Sequence, residues 1–239
     1  MSVLTNPSPN FDERTGGALP SFIILHYTGM KTAADALVRL CDPSAKVSAH
    51  YTVDETGDVY SHVREHHRAW HAGQSFWRGV TDMNSHSIGI EIVNPGHEWG
   101  YRTYPDAQIQ AVSDLCLSIM GRHHILPENI LAHSDIAPDR KQDPGEFFPW
   151  KILAEQGVGA WPFEGVGCTE GADIVDLDHA LIEFGYDPAV TAEERLLAFQ
   201  RHFEPEAFAT MRCGQVGEKT CARLRALRDG DWLRPKRAV

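Results

Sequence analysis

The spacing of apolar residues changes along the chain, and each change marks an element. Residues 22–27 (FIILHY) form a short, almost unbroken apolar run, which predicts a buried strand. Residues 32–41 (TAADALVRLC) carry apolar positions at helical spacing, with Thr32 placed to cap the helix. Residues 50–53 and 59–63 flank Asp54-Glu55-Thr56-Gly57-Asp58, which predicts a hairpin with the glycine supplying a positive φ. Residues 87–93 (SIGIEIV) alternate, with Ile88, Ile90 and Ile92 on one face and Gly89, Glu91 and Val93 on the other. Residues 105–123 predict a long helix with proline near its first turn and a stripe of Ile109, Val112, Cys116, Ile119 and Met120. Residues 130–132 predict a short strand that leads directly into His133.

The segments between these elements have their own character. Residues 1–20, rich in Pro, Asn, Gly and Asp, predict an extended lead-in. Residues 64–86 lack a clean period and concentrate His, Trp, Gly and Asn, which predicts an irregular surface segment of the kind that carries function. Residues 163–172 have the glycine-rich composition of a linker. Beyond it the period is purely helical. Ile174, Leu177, Leu181 and Phe184 form one stripe, and Thr191-x-x-Glu194 is a capping box before Leu196, Leu197, Phe199 and Phe203. Cys221, Leu224 and Leu227 form a third stripe. The expectation is an α/β domain over 21–162 followed by a small three-helix module over 173–239.

Composition narrows the function classes. The 239 residues are 42% hydrophobic and 23% charged, which excludes disordered and fibrous chains. With 22 Lys+Arg against 33 Asp+Glu the formal charge is −11, a poor match for general binding to nucleic acid or anionic lipid. No apolar run approaches the roughly 18 residues of a membrane span. Five cysteines without a CxxC spacing read neither as a disulfide framework nor as a zinc ribbon, and Cys41 and Cys116 read as buried thiols. The first twenty residues lack a basic segment followed by an apolar core. These features point to a cytoplasmic monomer. A periplasmic protein or an outer-membrane lipoprotein is the alternative if a leader has been removed.

Thirteen histidines direct attention to metal and proton chemistry. His26 ends a strand, His133 follows one, and Asp143 lies ten residues further on in Lys-Gln-Asp-Pro-Gly. Two imidazoles and a carboxylate suffice for a catalytic zinc whose fourth position is left to water. Each residue also has an ordinary reading. His26 suits a core position bonded to backbone, and Asp143 suits a turn before Pro144-Gly145. Glu91, between two isoleucines, either faces solvent on an edge strand or is aimed into a site. Lys141 on its own reads as a solvated loop charge. His50, Trp70, His71 and Trp77 belong to segments that could wall a groove.

Four segments tip the balance: His26-Tyr27-Thr28, Ala69-Trp70-His71-Ala72-Gly73, residues 84–91 (NSHSIGIE) and residues 133–145 (HSDIAPDRKQDPG). Together they resemble the zinc-dependent N-acetylmuramoyl-L-alanine amidases of the AmpD/AmiD type, the amidase-2 family, which shares its fold with peptidoglycan recognition proteins. Residues 198–203 (AFQRHF) resemble the small helical peptidoglycan-binding-like domain of some members. The resemblance implies an α/β fold with a mixed central sheet flanked by helices. It implies one zinc per chain on His26, His133 and Asp143, and Glu91 as the acidic catalytic residue. Lys141 would face the substrate carbonyl and Arg140 would contact the stem peptide, with Trp70 and His71 as further candidate substrate contacts. The implied reaction is hydrolysis of the amide between (anhydro-)N-acetylmuramic acid and L-alanine of a peptidoglycan fragment, in cell-wall recycling. The alternatives are a non-catalytic peptidoglycan-binding module with structural zinc and an amidase that degrades intact sacculi. Asp139 departs from the glycine that many members have.

Overall fold

The structure, a computed structural model, describes residues 3–162 and 177–230. The linker expected over 163–172 and the helical position of Ile174 lie outside the described residues. The strands are β1 (Val3–Thr5), β2 (Phe11–Glu13), β3 (Phe22–Tyr27), β4 (Tyr51–Val53), β5 (Val59–Ser61), β6 (His67–Ala69), β7 (Ser87–Ile92) and β8 (Ile130–Ala132). Six of them form one sheet in the order β1-β5-β4-β7-β3-β8, while β2 and β6 pair separately. The sheet is mixed: β4 and β5 are the antiparallel arms of the expected hairpin, and the other pairs are parallel. Gly57 takes φ +90° in the hairpin turn, where its Cβ would lie 2.9 Å from the Ala107 carbonyl oxygen.

The helices of the first part are α1 (Ala33–Cys41), α2 (Met83–His86), α3 (Gly96–Trp99), α4 (Asp106–His123), α5 (His133–Ile136) and α6 (Trp150–Glu155). Thr32 caps α1 by accepting from the Asp35 amide. The C-terminal part contributes α7 (Leu177–Phe184), α8 (Ala192–Phe203), α9 (Glu206–Ala209) and α10 (Glu218–Arg228). The Thr191/Glu194 capping box opens α8 as its sequence predicts. Among the described residues no helix is long and apolar enough to cross a membrane.

The sheet buries both faces, which explains the unbroken run of β3. Ile23 and Leu25 join Ile88, Ile90 and Ile92 in a core completed by Ile109, Val112, Cys116 and Ile119 of α4. Phe22 and Ile24 face the other way, into a second core with Leu131, Trp77, Leu181, Leu196, Phe199 and Phe203. The stripes of α7, α8 and α10 therefore pack against the sheet itself. Periodicity shows that a helix has an apolar stripe, but not which surface the stripe will cover. Two further details differ from expectation. Residues 3–5 extend the sheet edge and residues 11–13 pair with β6, so the lead-in is partly strand. Cys41 is only partly buried, whereas Cys116 is fully buried.

Arg14 ties the N-terminal segment to the sheet. Its buried guanidinium donates to the carbonyls of Glu65 (2.8 Å), Asn84 (3.2 Å), Ser85 (2.7 Å) and Ser87 (3.0 Å). Arg14→Met leaves these carbonyls without their donor and should cost about 2–4 kcal/mol, since an orphaned buried acceptor costs roughly 1–3 kcal/mol and not all four will find water. Urea unfolding measures the loss, and Arg14→Lys should recover only part of it, because an ammonium has three N–H donors for four carbonyls.

Candidate metal centre and active site

Sheet register brings the site residues together. β3 and β7 run parallel with His26 opposite Glu91, on the face that also carries Phe22, Ile24 and Gly89. β8 runs parallel on the other side of β3 with Ala132 opposite Leu25, so the chain leaves β8 at His133 beside His26. Asp143 returns through a loop held at several points. The Ser134 amide donates to the Asp143 carbonyl (3.0 Å). The hydroxyls of Tyr101 and Tyr104 donate to the Pro144 carbonyl (2.9 and 2.7 Å). Gly145, at φ +87°, lets Tyr101 approach: a Cβ there would sit 2.3 Å from its hydroxyl oxygen.

Three donor atoms converge. His26 Nδ1 lies 2.8 Å from His133 Nδ1 and 3.1 Å from Asp143 Oδ2, and His133 Nδ1 lies 2.9 Å from the same oxygen. All three residues are buried. Burial, with His133 beside it, pulls the His26 pKa down to about 4, so its ring is neutral at pH 7. Burial alone would raise the Asp143 pKa, but the His133 and His26 imidazoles hold it well below the carboxylate range.

Hydrogen-bond direction then fixes the tautomers. Ser87 Oγ donates to the Met83 carbonyl, so it accepts from His71 Nε2 (3.2 Å). His71 Nδ1 is thereby left as an acceptor for His26 Nε2 (3.0 Å). His133 Nε2 faces the Ala72 carbonyl (3.1 Å), which can only accept. With the Nε2 atoms engaged elsewhere, both Nδ1 atoms face the Asp143 carboxylate and are placed to bind a cation with it. Ligand atoms on a tetrahedral ion with bonds of about 2.0–2.1 Å lie about 3.3 Å apart, close to the edges seen here. The set fits a metal ion with an open fourth position toward the cleft.

That cleft has a volume of about 270 Å³ and is lined by His26, Tyr27, Trp70, Glu91, Lys141 and Asp143, among others. Glu91 is on β7, between β4 and β3, so the edge-strand reading fails. Its Oε2 is buried with no hydrogen-bond partner among the described residues. Burial, then the charge of Asp143, push the Glu91 pKa up to about 8, against the pull of Lys141. A carboxylate placed this way beside a metal triad is equipped to take up and release a proton.

The remaining candidates are placed differently. Trp70 lines the cleft, and its indole Nε1 donates to Asp12 (3.2 Å). His71 is buried with both ring nitrogens engaged, and a Cβ on Gly89 would lie 2.3 Å from its ring, so the strand glycine is the space the imidazole occupies. Arg140 donates to the carbonyls of Ala72 (2.6 Å) and Gln74. His50 is wholly buried, accepting from the Gly89 amide (3.0 Å). Trp77 sits in the second core, edge-on to Tyr186 and Phe184. Ser87 escaped the sequence reading, which had only its place on the Gly89/Glu91 strand as a signal.

The fold, with a buried triad that could hold a metal ion, is that of an amidase. Residues 16–146 match the Amidase_2 family, N-acetylmuramoyl-L-alanine amidase, and the chain belongs to it. It is 39% identical over 230 residues to the N-acetylmuramoyl-L-alanine amidase AmiD of Escherichia coli K12, covering 86% of this chain and 81% of that protein. The solved complex of E. coli AmiD with anhydro-N-acetylmuramic acid-L-Ala-D-gamma-Glu-L-Lys superposes with a TM-score of 0.76 at 35% identity, over 92% of this chain and 98% of that one. AmpDh3 of Pseudomonas aeruginosa in complex with anhydromuramic pentapeptide superposes at 0.79 and 33% identity, over 91% and 94%.

Two outcomes follow from the site geometry. Asp143→Ala removes the anionic corner of the triangle and should abolish metal retention through gel filtration, read by elemental analysis, with the circular dichroism spectrum preserved. The second concerns the metal-free protein. The raised Glu91 pKa makes a stabilising contribution that is complete below the usual carboxylate value of 4.5 and is lost as pH rises through about 8. Metal-free Glu91→Gln should therefore melt a few degrees above wild type at pH 9, with the gap closing toward pH 4.5. Equal melting temperatures at pH 9 would show that burial of the charge carries no cost.

Proposed function

We propose that the protein is a zinc-dependent amidase that hydrolyses the bond between anhydro-N-acetylmuramic acid and L-alanine in soluble peptidoglycan fragments, in cell-wall recycling. The observation that carries this is the triangle of two bare imidazole nitrogens and a carboxylate oxygen, lying in one cleft with an unpartnered glutamate. Two histidines and a carboxylate with an open position form a donor set that suits catalytic zinc. Bound there, zinc supplies Lewis acidity that polarises a carbonyl and makes water acidic enough to ionise near neutral pH.

The chain's own residues supply the proton transfers and charge stabilisation. Glu91 accepts the proton of the attacking water and returns one to the departing alanine nitrogen. Lys141 directs its ammonium at the tetrahedral oxyanion, a contribution of about 3–4 kcal/mol for a well-placed donor. The buried His71 holds His26 in its ligating tautomer, while the exposed Arg140, braced on the Ala72 and Gln74 carbonyls, is placed to contact the stem peptide. Trp70 contacts substrate from the cleft wall. Cys41 and Cys116 carry thiols, which favours the cytoplasm, where anhydromuropeptides rather than sacculi would be met.

Mass spectrometry of products decides between the readings. Anhydro-N-acetylmuramyl-L-Ala-D-Glu-L-Lys should yield free tripeptide and anhydro-N-acetylmuramic acid, with purified sacculi turned over far more slowly in a parallel reaction. Glu91→Gln should lower the rate about 100-fold or more with zinc still bound. Intact substrate recovered from zinc-loaded protein would make it a binding module, and faster attack on sacculi would make it a wall-degrading enzyme.

A further inference from the structure

The second core places an unusual polar cluster between the C-terminal helices and the metal centre. Asp135, in the single-turn helix α5 that begins with His133, has no exposed surface. Its Oδ2 accepts from the Ala132 amide (2.8 Å), the residue before the metal ligand. The same oxygen accepts from His202 Nδ1 of α8 (2.7 Å), and Oδ1 accepts from the Tyr186 hydroxyl that follows α7 (2.9 Å). The His202 ring is stacked between Trp150 and Phe203, both at 3.8 Å between centroids. Tyr186 is fully buried edge-on to Trp77 at 5.0 Å.

We infer that His202 and Tyr186 are positioning residues for the metal centre, acting through Asp135 on the helix that presents His133. A four-residue helix does not fix its own orientation, because one turn costs more conformational entropy than its hydrogen bonds return. Its direction is set from outside. Asp135 clamps the start of α5 through the Ala132 amide, and two donors from the C-terminal helices clamp Asp135. Ligand atoms must be held within roughly 0.5 Å of the productive geometry, so an error in this clamp reaches Nδ1 of His133 directly. The C-terminal helices are on this account part of the metal site's scaffold.

The inference rests on His133 as a zinc ligand, and its test separates the two. In the full-length chain, zinc affinity is measured by chelator competition at a temperature where circular dichroism shows every variant folded. His202→Phe keeps a ring between Trp150 and Phe203 but removes the donor. Tyr186→Phe removes one oxygen atom. His202→Asn returns an amide N–H near the position of Nδ1. The zinc dissociation constant should rise 10-fold or more in His202→Phe, within the range for outer partners of metal ligands. It should rise severalfold in Tyr186→Phe and fall back toward wild type in His202→Asn. Unchanged affinity alongside lowered melting temperatures would overturn the inference and leave the cluster as cement between helices. Should His202→Phe fail to fold, Tyr186→Phe decides alone, and unchanged affinity there also overturns it. Wild-type protein that takes up no zinc would instead refute the proposed function.

Discussion

The structure turns on three lone pairs that face one another. His26 and His133 each spend their ring hydrogen away from the centre, one on His71 and the other on the Ala72 carbonyl. Asp143 adds a carboxylate that is held ionised. Together the three donor atoms converge in a buried place and form a group that could hold a metal ion. The rest of the fold holds them there. Parallel pairing of β3 with β8 fixes the separation of the two histidines, and two tyrosine hydroxyls on the Pro144 carbonyl fix the loop that brings in the acid.

The sheet accommodates this by dividing its second face. Toward the start of β3, Phe22 and Ile24 are covered by the C-terminal helices, and at its end His26 opens into the cleft. Alternation makes the three residues neighbours on one face. Large apolar burial at one end can therefore hold the polar end in place. Gly89 on the adjacent strand provides the volume for His71, and Glu91 two residues later reaches the cleft. One strand thus supplies the space for a ligand's support and the proton acceptor within a single pleat.

Much of this was legible in the sequence, for identifiable reasons. β3, β7 and α4 have strong periods, and the candidate ligands His26 and His133 stand at the ends of strands whose apolar runs declare them. The Thr32 cap and the Thr191/Glu194 box are local chemistry and need no tertiary information. Residues 3–5 and 11–13 were not legible as strands, because pairing to β5 and β6 imposes their conformation from outside. His71 and Trp77 looked alike in an aperiodic segment, yet one supports a ligand and the other fills a core. Only the position of Gly89 opposite the imidazole, and of Tyr186 beside the indole, separates them. Asp135 was hidden for the same reason: its partners lie 51 and 67 residues away.

Electrostatics explains why Glu91 and Asp143, two carboxylates at one cleft, take different roles. Asp143 sits against the His133 and His26 imidazoles, which outweigh the effect of burial, so its charge is held. Glu91 has no internal donor for Oε2, and the charge on Asp143 opposes its own. One carboxylate is thereby kept as a fixed anion, and the other becomes the group whose protonation changes most readily. A bound cation would draw the Glu91 pKa down from its metal-free value near 8. At neutral pH that shift would turn Glu91 from a mostly protonated acid into the ionised carboxylate that can accept a proton.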